Sequence, residues 1–406
     1  MSSAASTKKT HAGKKRHSHE THAEKKKHSP VFWAVFAAFL VVTLICVVHA
    51  CIFILEARLG HHDTRWFWAS AHLLIHRFNP YDQNAVGQIE AALGIPVDTN
   101  NVVRNPPPAL FLIIPLGFLQ GWEAVPLWSL LLAIFFAFSM LAIRSMLRGP
   151  YDHRYLWLAW CFAPAICCIE VGQTGVVLLL GLTLFLLCHE RRPLLAGMAL
   201  SLCAIKPHLF LPFGVALLAW IVVRRKWGMI LGAMLALAVE SAIAMAFDPH
   251  VWAHYLSAMR SQNIEGMFVP TVGVGLRFLV DESAMWLEFV PAAAGCAWAL
   301  WYFLRNRERW SWRTHGSLVT LISMVVAPYS WFTDQVIAIP AILFALLGTK
   351  MLRRGSLTLL LALMTVATVA RLLTETLYDE AFLWTGVAWL AWYVYATSAE
   401  RDQAAS

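Results

Sequence analysis

Five short polar interruptions in an otherwise apolar chain hold the residues able to do chemistry. Lys206, with His208 two residues on, breaks the 31-residue stretch Pro193–Val223. The segment 194–205 before it makes only about 18 Å of helix against a hydrocarbon core of roughly 30 Å, so Lys206 is expected below the outer surface, in a water-filled cavity. A lysine facing lipid costs about 2.5–3.5 kcal/mol on insertion scales, which makes an intramembrane Lys a functional candidate. The bland reading is a snorkelling Lys at a Pro-broken helix end. Gly172-Gln173 follow Glu170, Arg104-Asn105 precede a proline triplet, and Tyr329-Ser330-Trp331-Phe332-Thr333-Asp334 places a carboxylate at the start of a span. Each alone is an interface turn, and Asp334 could simply complement a helix dipole. Together, a carboxylate, a lysine and an arginine facing one compartment suit an anionic headgroup and a proton acceptor. Asp63, beside His61 and His62, is the fifth. Aspartate just before a helix is a preferred N-cap, and spacing by itself favours capping over catalysis there.

The elements that must position these residues are membrane helices. Of 406 residues, 59% are apolar and 14% charged, with mean hydropathy +0.60. Soluble domains carry roughly 25% charged residues, so soluble, collagenous, coiled-coil, disulfide-stapled and wholly disordered classes are excluded. The net charge of +8 is concentrated at one end: residues 1–30 hold eight Lys or Arg against Glu20 and Glu24, a net +6, leaving +2 elsewhere. That pattern reads as a disordered cytoplasmic anchor before a first span at 31–55, not as a nucleic-acid site, because the body offers no second basic face. The run 31–55 has bilayer length and is expected to stay as a span, not to be cleaved as a signal. The tail's five histidines are irregularly spaced and weak as metal ligands. All eight cysteines sit in apolar runs without a CxxC metal pattern and read as small buried residues. No cofactor or metal is expected.

Thirteen apolar runs are present, and Lys/Arg clusters near 144–154, 191–192, 224–226, 305–313, 350–354 and 401 mark the cytoplasmic loops. These agree if segment 106–120, short and opening on Pro106-Pro107-Pro108, is re-entrant. About twelve crossings remain, with both termini inside and outward loops at 56–105, 171–173, 206–207, 248–283, 328–331 and 374–379. The expected organisation is a tail (1–30), one all-α polytopic transmembrane domain (31–397) and a cytoplasmic C-terminal tail (398–406). In 64–78 the apolar residues Trp66, Phe67, Leu73, Leu74 and Phe78 recur at helical spacing, predicting an interfacial helix that Asn79-Pro80-Tyr81-Asp82 stops. A weaker second case is 250–268.

The order of these features resembles glycosyltransferase family 87, the polyprenyl-phosphate-mannose-dependent mannosyltransferase-like proteins of the GT-C superfamily. The resemblance runs through Asp63, Asn79-Pro80-Tyr81-Asp82, Pro106-Pro107-Pro108 with Pro115-Leu116, Gly172-Gln173, Lys206-Pro207 and Pro328-Tyr329-Ser330-Trp331…Asp334, across about 31–397. Where related mannosyltransferases often carry His after the Ser-Trp pair, this chain has Phe332. The resemblance implies a GT-C-type fold in the plasma (inner) membrane, N-terminus cytoplasmic, with its active site on the extracytoplasmic side. It implies an inverting enzyme moving a sugar, mannose by analogy, from a polyprenyl-phosphate donor to a lipid or glycan hydroxyl, with membrane lipids as surroundings and no nucleic-acid partner. Asp63 maps onto the general base, and Lys206, Arg104 and His208 onto the donor-phosphate site. Gln173, Asp334, Trp331, Tyr81 and His62 map onto substrate contacts. The competing reading is a transporter or lipid flippase using Lys206 and the Pro-broken helices as a pathway. It predicts polar residues on both sides of the midplane and inverted internal symmetry, and the sequence shows neither.

Overall fold

The computed structural model describes residues 63–92, 103–147, 156–261, 268–348 and 382–404, together with 355, 358–364 and 366. Among these residues every regular element is helical and no strand occurs. The protein is an all-α polytopic membrane protein. The first expected span (31–55), the basic tail, His61, His62 and most of 356–373 lie outside the described residues.

Among the described residues four helical stretches are long and apolar enough to cross a bilayer: Gly121–Met146, Pro207–Arg224, Gly228–Phe247 and Met285–Arg309. The first opens on a reciprocal cap in which Glu123 accepts the Gln120 backbone N–H at 3.0 Å, and Arg144 stands in its last turn, where the helix dipole favours a cation. Gly228–Phe247 exposes Leu231, Met234, Leu235, Val239 and Ile243, a stripe that suits lipid contact and not water. It crosses the helix Pro193–Ser201 so closely that a Cβ on Gly197 would stand 1.9 Å from the Met229 carbonyl oxygen. Small residues that admit such an approach drive helix association where lipid tails remove the hydrophobic incentive.

Shorter apolar helices sit inside this frame. We label those that carry the site: α1 (Thr64–Ile75), α2 (Ala163–Val171), α3 (Gly175–Cys188) and α4 (Pro193–Ser201). Of the fourteen residues of α3, ten are buried. Tight 3-10 turns interrupt or open the others: Leu202–Ile205 and Pro207–Phe210 flank Lys206, and Phe332–Ala338 leads into Ile339–Gly348. Prolines 207 and 212 remove N–H groups at these points, so the helix cannot run through. Segment 106–120 folds as a 3-10 turn (Pro107–Leu112) and one helical turn (Ile114–Gly117), too short to cross and packed on Gly228–Phe247.

The helix expected over 64–78 forms as α1, yet eight of its twelve residues are buried, and it is packed into the body against Gly121–Met146. The weaker pattern behaves in the opposite way. Val251–Ser261 buries only Val251 and turns Trp252, Leu256 and Arg260 outward, as an interfacial helix should.

Candidate functional site

Asp63 stands at the first position before α1, but it does not cap that helix. Its backbone is already helical (φ −64°, ψ −20°) and its side chain makes no cap hydrogen bond, so the capping expectation fails. Its backbone N–H instead donates to the Val171 carbonyl at 3.0 Å, tying the start of α1 to the end of α2. The turn after α2 requires glycine. Gly172 has φ +83°, and a Cβ there would stand 2.1 Å from Thr64 Oγ1. Trp128 Nε1 donates to the Gly172 carbonyl at 2.7 Å and fixes the turn from the far side.

This geometry brings Gln173 to the carboxylate, where its Nε2 donates to Asp63 Oδ2. Asp63 keeps part of its surface open, yet its surroundings desolvate it. Burial pushes its carboxyl up to about 6, against the opposing pull of the Gln173 hydrogen bond and the positive charges of Lys206 and Arg65. A carboxylate of this kind gains basicity while remaining ionised at neutral pH.

Behind Gln173 lies the break between the two 3-10 turns. Lys206 has a non-helical backbone (φ −132°, ψ 72°), and its Nζ donates to Gln173 Oε1 at 3.2 Å and to Asp334 Oδ1 at 2.7 Å. Asp334 completes its own shell by accepting the Trp331 backbone N–H at 3.0 Å, at the mouth of the 3-10 turn Phe332–Ala338. Lys206 is 7% exposed and Asp334 wholly buried. Two sequence expectations change here. Asp334 does not line an opening; it is the counter-ion behind Lys206. The Lys206 charge already has a carboxylate partner, so an incoming anion meets a matched ion pair, not a bare cation.

A second group gathers around Tyr329. Arg104 Nη1 donates to its hydroxyl at 3.4 Å, Trp331 Nε1 donates to the same oxygen at 2.9 Å, and the His208 ring stands edge-on at 5.6 Å. Asn105 Nδ2 donates to the Ile205 carbonyl at 3.2 Å, fastening the Arg104 segment beside Lys206. Tyr81, expected to touch substrate, is 2% exposed. Its hydroxyl donates to the Asn105 carbonyl at 2.9 Å and its ring packs 5.4 Å from Tyr255, so it holds this segment in place from behind. A small recess, with about 10 Å³ of room for water, lies alongside, walled by Phe67, Val103, Ile113, Trp128 and Ile205, with Asn105 and Thr174 as its polar edge.

Asp63, Gln173, Lys206 and Asp334 thus form one continuous hydrogen-bonded line, and Arg104, His208 and Trp331 form the cluster about Tyr329. His62 lies outside the described residues. Sequence reasoning missed Tyr329 and Asn105 as site residues; their position inside motifs already singled out was the available signal. It also missed Glu90, which forms an ion pair with Arg65 Nε and accepts from Trp66 Nε1, both at 3.1 Å, and braces the first turn of α1. No local pattern marks that contact, because it joins residues 24 apart.

Residues 104–328, a little more than half of the chain, match the family model described as Glycosyltransferase family 87. No curated protein and no solved structure matches the chain.

Proposed function

The chain belongs to glycosyltransferase family 87, a GT-C-type membrane family, and on that premise we propose that it is an inverting transferase using a polyprenyl-phosphate-linked sugar. Glycosyl transfer requires an acceptor hydroxyl to lose a proton as the anomeric carbon leaves its phosphate. One observation supports Asp63 in that role: a carboxylate at a helix start that caps nothing, is raised to about 6 by its surroundings, and is held by Gln173 at a partly open surface. Direct displacement at the anomeric carbon then inverts it, with the acceptor proton passing to Asp63 and the lipid phosphate departing.

The departing phosphate needs positive charge and hydrogen-bond donors, not a second acid. Arg104 and His208, gathered at Tyr329, are the groups we assign to it, while Lys206 contributes its field from within the Asp334 pair. Mannose as the sugar, a lipid or glycan hydroxyl as acceptor, and an extracytoplasmic site in the inner membrane complete the proposal.

Purified protein in liposomes, given polyprenyl-phosphate-mannose and extracted membrane lipids, tests it. Wild type should form a mannosylated product and Asp63→Asn should lose transfer by a factor of about 10²–10⁴, the usual contribution of a general base. Full activity in a normally inserted Asp63→Asn protein refutes the assignment. Lipid or solute movement across the liposome without sugar transfer supports the transporter reading.

A further inference from the structure

Gln173 is pinned at both ends. Its backbone N–H donates to the Cys168 carbonyl at 2.9 Å, and its own carbonyl accepts from Cys168 Sγ at 3.0 Å. The preceding Gly172, at positive φ, sets the direction in which the side chain leaves the turn. The orientation of the amide follows from what surrounds it. An ammonium has three donors and no acceptor, so the amide end facing Lys206 must be the carbonyl oxygen. The NH₂ end then faces the other way, onto Asp63 Oδ2. Turned over, the amide would place its NH₂ against an ammonium and its carbonyl against a carboxylate. Asp334, buried and held by the Trp331 N–H, keeps Lys206 in place to enforce the choice.

We propose that Gln173 is a positioning residue for the reaction and not a substrate contact: with Lys206 and Asp334 behind it, it engages Asp63 Oδ2 and leaves Oδ1 to take the acceptor proton. Among the described residues Oδ1 has no hydrogen-bond donor, whereas Oδ2 has one. The inference rests on Asp63 being the base, as read above. The charged groups facing Asp63 are Lys206 across the Gln173 bridge and Arg65 on α1, the latter paired with Glu90.

The test is the pH profile of transfer from polyprenyl-phosphate-mannose by Gln173→Met and by Gln173→Glu, the second nearly identical in shape. Removing a hydrogen bond to an ionised group should move the acid limb of kcat/KM upward by about one to two pH units in Gln173→Met. Gln173→Glu sets a carboxylate against a carboxylate and should move it at least as far. KM for the donor should stay within about twofold in both, since no substrate contact is lost. An acid limb that stays at its wild-type position in both variants overturns the inference, and so does a donor KM that rises with kcat intact. The two failures are separable: an active Asp63→Asn protein sinks the assignment of the base, whereas an inactive Asp63→Asn with an unmoved Gln173 limb sinks only the role of Gln173.

Discussion

Removing either member of the Lys206–Asp334 pair should be far more damaging than removing both. The two charges meet at 2.7 Å, with side chains 9% and 0% exposed. At an effective dielectric of about 20 their attraction is about 6 kcal/mol, set against a desolvation cost of several kcal/mol for each ion. Lys206→Met leaves Asp334 charged, buried and supported, among the described residues, by the Trp331 N–H alone; Asp334→Leu leaves Lys206 with the Gln173 side-chain carbonyl. Each single change should destabilise by about 3–5 kcal/mol, because an uncompensated charge stays inside. The double variant Lys206→Met/Asp334→Leu should return to within about 1–2 kcal/mol of wild type, since apolar pairs of similar volume replace buried ion pairs at little cost. Reversible unfolding in mixed micelles, followed by circular dichroism across the four proteins, gives the coupling directly. The regained stability should not bring activity back, because the donor that orients Gln173 is gone. Single variants within about 1 kcal/mol of wild type, or additive losses in the double, would refute this account of the line behind Asp63.

Three further outcomes follow from the geometry. Transfer should fall about tenfold per pH unit below about 6 and level off above it, because Asp63 must be deprotonated to act as base and its folded-state pKa lies near 6; a profile flat down to pH 5 contradicts this. The same raised pKa means that ionised Asp63 opposes folding above that pH, an effect absent below the usual carboxylate range near 4. Asp63→Asn should therefore unfold at the same temperature as wild type or higher at pH 7.5, with the difference vanishing at pH 4; a clearly lower midpoint at pH 7.5 would return Asp63 to a structural role. Gly172→Ala should lower activity and stability together: αL backbone costs an alanine about 1–2 kcal/mol and its Cβ strikes Thr64 Oγ1, which the unfolding midpoint and the transfer assay would both record.

Much of this molecule is legible along the chain. A 59% apolar composition can only be buried in lipid or in other helices, so class and helicity follow from it. The charged and amide groups that break hydrophobic runs stand out because each is expensive there, which is why Lys206, Gln173, Arg104 and Asp334 were visible as candidates. Periodicity was less reliable about surroundings. The apolar positions of 64–78 describe a helix with one greasy face, but they cannot say whether its polar side meets water or, as at Thr64 and Ser70, the interior of the same protein.

What the chain alone left open was who faces whom. Local spacing places Asp63 where an aspartate normally caps, and only the fold turns its carboxylate away from the helix toward Gln173, 110 residues distant. Lys206 reads as a bare cation until Asp334, 128 residues later, is folded against it. Tyr81 reads as a substrate contact until Asn105 and Tyr255 close over it. The physical reason is common to all three. Hydropathy and helix signals are sums over neighbours in sequence, whereas the charge state, orientation and openness of a polar group depend on partners brought within about 3 Å by packing between distant segments.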